Sequence, residues 1–114
     1  MLHEGSCHCG DIAFTVEGEF TEGLDCNCSM CRRRGALLAF VPADAFELKS
    51  GKSMGTYSFN THKLQHHFCT TCGIAPFTEG QAKDGSATRA VNLRCIPNVE
   101  LDSLKLVKWD GASH

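Results

Sequence analysis

The chain has 114 residues, of which 42% are hydrophobic and 21% charged. This composition fits one small globular domain spanning residues 1–114 and excludes disorder or a second hydrophobic core. Eleven basic and thirteen acidic side chains give a formal charge of −2, so there is no bulk attraction for nucleic acid or an anionic membrane.

The first segment, MLHEGSCHCGDIAFTVEGEF, lacks the basic and apolar regions of a signal peptide. No apolar run approaches the ~20 residues needed to cross a bilayer. The expected setting is therefore the reducing cytoplasm, where thiols stay thiols. Ile12, Phe14 and Val16 alternate with polar residues and predict a half-buried strand. In DCNCSMCRRRG, Ser29 is placed to cap a short helix opening at Met30, with Cys31 in its first turn. ALLAFVP predicts a buried strand stopped by Pro42, and PADAF a single turn opening there. AFELKSG, GTYSF, LQHHF, IAPFTEG, AVNLRCI and LKLVKW complete about eight candidate strands, with QAKDGSA the most loop-like stretch. The predicted fold is mainly β: several short coiled antiparallel sheets with little helix.

The eight cysteines dominate the reading. Cys7 and Cys9 form CxC, Cys26, Cys28 and Cys31 form CxCxxC, Cys69 and Cys72 form CxxC, and Cys95 stands alone. Clusters of this kind in a reducing setting point to metal ligation rather than disulfides. Two pairs supply the four ligands of a closed tetrahedral zinc site, so Cys7, Cys9, Cys69 and Cys72 can staple the fold. Three ligands, Cys26, Cys28 and Cys31, suit an open site whose fourth position takes water or substrate. Cys95, or one of His62, His66 and His67, can instead be a fourth ligand that closes it. Arg32, Arg33 and Arg34 follow the cluster and suit either charge compensation or an anionic substrate. Two zinc ions with seven thiolates add four positive and seven negative charges, taking −2 to −5.

GSCHCG, DCNCSMCRRRGA, TYSFNTHKLQHHFCTTCGIAPF and VNLRC, in that order over residues 5–96, resemble the glutathione-dependent formaldehyde-activating enzyme family, which includes centromere protein V. The resemblance implies a zinc-stapled β fold with structural ligands at Cys7, Cys9, Cys69 and Cys72 and a catalytic zinc at Cys26, Cys28 and Cys31. It implies a carbon–sulfur lyase that joins formaldehyde and glutathione into S-(hydroxymethyl)glutathione, with glutathione or another small thiol plus an aldehyde as partners. Arg32, Arg33 and His62 are the candidate substrate-binding residues, and Asn27 stands where many members carry His.

The other candidates have plainer readings beside them. His8 is expected to be exposed and incidental. His66 and His67 point to opposite faces of a strand, so at most one can serve a site on either face. Phe59, Phe68 and Phe77 read as core, Trp109 as a packing residue that tethers the C-terminal segment. Two other functions remain: a non-catalytic zinc-stabilised binding module, and an oxidoreductase using Cys95.

Overall fold

A computed structural model describes residues 1–59 and 63–113. In chain order the strands are β1 (Leu2–Ser6), β2 (Ile12–Glu17), β3 (Glu22–Cys26), β4 (Leu38–Pro42), β5 (Phe46–Gly51), β6 (Met54–Tyr57), β7 (Gln65–Cys69), β8 (Phe77–Gln81), β9 (Ala87–Asn92) and β10 (Lys105–Trp109). One short helix, α1 (Cys31–Arg34), follows β3. The fold is mainly β, as the sequence predicts, and the strands form two sheets. The smaller has the order β1-β2-β5; the larger runs β10-β3-β4-β9-β8-β7-β6. All pairings are antiparallel except β10 with β3, which is parallel.

Register divides the large sheet into two chemically different faces, because residues opposite one another on paired strands share a face. Ala39, Val91, Phe77 and His67 align across β4, β9, β8 and β7 and face the small sheet. There Phe14 stacks on Phe46 with ring centroids 5.0 Å apart, and Phe46 meets Phe77 at 4.7 Å. Ile12, Phe14, Val16, Val91, Leu93 and Ile96 are essentially sealed from water. Burying one such side chain favours folding by about 1.5–3 kcal/mol, which locates the core between the sheets. On the opposite face Phe40, Ala90, Thr78, His66 and Tyr57 align across β4 to β6. Among the described residues no second sheet covers this face.

That asymmetry corrects one expectation. In β4 only Val41 is buried, and Phe40 is 62% exposed, because its neighbours in sequence face opposite layers. Two strands escaped the apolar pattern altogether. The inward positions of β1 are His3 and Gly5, and that of β3 is Gly23, so neither strand shows the alternation that reveals a buried face. His3 instead lies against Phe20, with Nε2 3.2 Å from the Gly18 carbonyl. The predicted turn after Pro42 is present as a 3-10 turn at Ala43–Ala45.

Candidate metal centres and the cleft beside them

Two short loops bring four sulfurs together. Cys7 N–H donates to the Ile12 carbonyl (3.0 Å), folding the β1–β2 connection around Cys7 and Cys9. Cys69 N–H donates to the Ile74 carbonyl (2.9 Å) and Gly73 N–H to the Cys69 carbonyl (2.8 Å), folding the β7–β8 connection around Cys69 and Cys72. The four Sγ atoms lie within 4.8 Å of one another. Cys7 to Cys9 is 3.8 Å and Cys9 to Cys69 is 3.6 Å. A tetrahedron of sulfurs about ~2.3 Å from zinc has edges of about 3.8 Å, whereas a disulfide bond is close to ~2.05 Å. The donor set therefore fits a tetrahedral thiolate-bound metal. Backbone N–H groups of Ile12 and Cys72 point at Cys7 and Cys69 Sγ, both at 3.4 Å. The N–H groups of Ile74 and then Cys9 hold the Cys72 thiol down to about 6, so it is readily ionised for ligation.

The second cluster sits where β3 ends and α1 begins. Cys26, Cys28 and Cys31 have sulfurs within 4.8 Å of one another. Cys28 N–H points at Cys26 Sγ (3.4 Å) and Cys31 N–H at Cys28 Sγ (3.3 Å). Burial works against the Cys28 thiolate, yet hydrogen bonds from the Cys31 and Met30 backbone and the flanking thiols lower its pKa. Cys31 is pushed the other way, by burial first and then by the hydrogen bond with Cys28 and the Cys28 charge. The helix boundary corrects the capping expectation: Met30 occupies the N-cap, no side chain caps α1, and Gly35 closes it with φ 71°. A single turn from Cys31 to Arg34 leaves Ser29 outside, because the loop is held by its sulfurs.

Among the described residues, no histidine and no eighth cysteine joins either ligand group. Cys95 is buried, and burial followed by the charges of Cys7 and Cys72 pushes its thiol up to about 11. Such a thiol stays protonated near neutrality and makes a poor nucleophile. His62 lies outside the described residues. His8 is exposed, as expected.

The trio opens onto a cleft of about 1180 Å³ above the uncovered face of the large sheet. Leu24, Leu38, Phe40 and Ala90 form an apolar floor, and Arg34, Arg94 and His66 supply chemistry at its margins. Of the three consecutive arginines, Arg34 lines this cleft, while Arg33 Nη1 donates to the Ser29 carbonyl at 2.7 Å. Arg94 was not singled out by sequence; its Nε donates to the Gly35 carbonyl at 3.2 Å, bracing the end of α1. Its only signal was proximity to Cys95. Phe59 corrects the core reading: its ring lines the cleft and stacks on Tyr57 and His66. Trp109 is 49% exposed and also lines the cleft.

The histidine pair separates as strand geometry requires. His67 faces the core, its ring against Phe77, with Nδ1 2.9 Å from Thr56 Oγ1 and Nε2 3.0 Å from Glu79 Oε1. His66 faces the cleft, with Nδ1 3.0 Å from Thr78 Oγ1 and Nε2 buried without a partner among the described residues. Burial, then Arg34 and His67, lower the His66 pKa and favour neutral imidazole.

A β fold with one cysteine quartet joining the β1–β2 and β7–β8 loops and one cysteine trio beside an open cleft, each able to hold a metal ion, defines a candidate metal-binding β protein. The chain belongs to the glutathione-dependent formaldehyde-activating enzyme family, whose sequence profile matches residues 2–103. A Halomonas elongata protein carrying that family name is 31% identical over 85 residues, 66% of this chain and 54% of its own length. The chain thus spans about half the length of that curated relative. A crystal structure of a Rhodobacter sphaeroides protein superposes with a TM-score of 0.77 at 31% identity, covering 91% of this chain and 99% of that one.

Proposed function

We propose that this chain is a zinc-dependent carbon–sulfur lyase of the S-(hydroxymethyl)glutathione synthase type, joining a small thiol such as glutathione to an aldehyde and cleaving the adduct in reverse. The observation that carries the reading is the trio Cys26, Cys28 and Cys31 placed against a cleft, one ligand short of a closed tetrahedral site. In this reading Cys7, Cys9, Cys69 and Cys72 hold a structural zinc, the trio holds a second, and the setting is the reducing cytoplasm. A zinc ion at the trio supplies a Lewis acid that lowers a thiol's pKa or polarises an aldehyde oxygen.

The protein's own groups do the rest. Arg34 and Arg94, both lining the cleft, offer guanidinium donors to the carboxylates of a peptide thiol; Arg32, Arg33 and His62 remain candidates for the same task. His66 takes the proton that the thiol gives up as the new S–C bond forms. The carbonyl π electrons move to oxygen, and His66 returns the proton there. Thr78 hydroxyl can donate or accept, so it supports either imidazole tautomer through the exchange. In the cleavage direction the same proton runs backward.

Metal analysis and an adduct-formation assay test the reading together. Wild type should carry two zinc ions per chain and accelerate adduct formation from glutathione and formaldehyde. Cys28→Ser should carry one, keep its fold and lose activity. A wild type with one zinc, or with two and no acceleration, would defeat the proposal.

A further inference from the structure

The residue between the first two ligands of the trio is fastened to a distant part of the chain. Asn27 N–H donates to the Trp109 carbonyl at 3.1 Å. Asn27 Nδ2 donates to Asp110 Oδ1 at 3.0 Å, and Asn27 Oδ1 accepts from Ala112 N–H at 2.9 Å. The three contacts reach the last residue of β10 and the segment after it, and the parallel register of β10 sets Trp109 beside Cys26. Ser113 Oγ donates to the other oxygen of Asp110 at 2.7 Å, holding that carboxylate in place.

Between these contacts lies Gly111. A Cβ built there would meet Cys26 Sγ at 2.5 Å and Cys28 Cβ at 3.2 Å. Gly111 is not among the glycines with positive φ, so backbone conformation does not demand glycine here. Space beside the ligand sulfur does. The segment from Trp109 to Ser113 is therefore packed directly on two of the three ligands.

We infer that Asn27 and Gly111 are positioning residues of the trio: the C-terminal segment is a latch that holds the Cys26–Cys31 loop in ligating geometry. Three thiolates on one exposed loop repel one another, and a floppy loop would lose much of its affinity to ordering. A primary amide at position 27 meets both needs of the latch, donating to a carboxylate and accepting from a backbone N–H. Aspartate would set two carboxylates together, and alanine would remove both side-chain contacts. The same segment forms part of the cleft wall beside the trio, where Trp109, Gly111 and Ala112 line it. This inference rests on the second metal site of the proposed function.

Chelator competition on the zinc-loaded full chain tests it. In Asn27→Ala and Gly111→Ala the second zinc should be extracted about 10- to 100-fold more readily, the range typical when the support of a metal ligand is removed. The first zinc should be held as in wild type, and the thermal transition should stay cooperative. If Gly111→Ala loses both metals through misfolding, Asn27→Ala, which removes only exposed contacts, decides alone. Two zinc ions in wild type with unchanged extraction from Asn27→Ala would overturn the latch while leaving the site intact. One zinc in wild type would overturn the site and the latch with it.

Discussion

The two cysteine clusters are built from the same parts and placed in opposite surroundings. Each uses closely spaced thiols, backbone N–H groups aimed at sulfur and a closing glycine with positive φ, Gly73 at 84° and Gly35 at 71°. The quartet joins loops sixty residues apart and includes the buried sulfurs of Cys7 and Cys69, which belong to the hydrophobic core. The trio draws on one loop, the six residues from Cys26 to Cys31, and faces a cleft. A metal bound by ligands from distant segments would be part of the fold, whereas one bound by a single loop would leave the fold able to stand without it.

The sharpest way to break this contrast is to remove one sulfur from each side. A structural zinc contributes on the order of 10–16 kcal/mol in apparent binding free energy, as large as the ~5–15 kcal/mol that holds a domain folded. Cys69→Ser should therefore abolish the cooperative thermal transition and release both metals, whereas Cys28→Ser should melt cooperatively. If circular dichroism shows Cys69→Ser folded and Cys28→Ser unfolded, the roles assigned to the clusters are reversed.

Much of this contrast was legible before the structure. The spacings of Cys7/Cys9, Cys69/Cys72 and Cys26/Cys28/Cys31 suggest the grouping of seven sulfurs because metal ligation constrains short sequence intervals. The strands with alternating apolar side chains were legible for the same local reason. What lay hidden depends on contacts between distant residues. β3 presents Gly23 inward, so its place beside β4 and β10 leaves no apolar trace. Arg94, Phe59 and the contacts of Asn27 with Asp110 and Ala112 acquire meaning only when strand order brings them to the cleft. The open face itself cannot be read from ALLAFVP, since an apolar run looks the same whether or not another layer covers it.

A smaller effect separates chemistry from support at the trio. His66→Asn keeps the approximate shape of the ring but cannot accept and return a proton. Turnover should fall by about 10²–10⁴ if His66 carries that proton, with zinc content unchanged. Because burial, then Arg34 and His67, favour the neutral form of His66, the wild-type rate should decline only below the ordinary histidine range near ~6.5, and the variant should lack that decline. Stability supplies a second check with a definite sign. The unfolded chain takes up a proton near ~6.5 that the folded chain resists, so stability falls as pH drops through that value. His66→Asn should flatten this dependence, measured by denaturant titration between neutral and mildly acidic pH. An equal slope in both proteins, with equal rates, would leave His66 as packing.

The least expected change refines the comparison at the two glycines. A Cβ at Gly73 or Gly35 meets no atom within 4 Å, so alanine there pays no steric clash with neighbours, only the cost of the left-handed backbone, roughly 1–2 kcal/mol. At Gly73 that cost falls on the loop that carries Cys69 and Cys72 and should lower global stability in denaturant by about that amount. At Gly35 it falls at the end of α1, after the last ligand of the trio, on a loop the core does not need. There the same substitution should shift retention of the second zinc while changing global stability less than Gly73→Ala does. Equal losses of global stability would mean that the trio loop unfolds with the core rather than independently, and that the two clusters differ in exposure but not in their coupling to the fold.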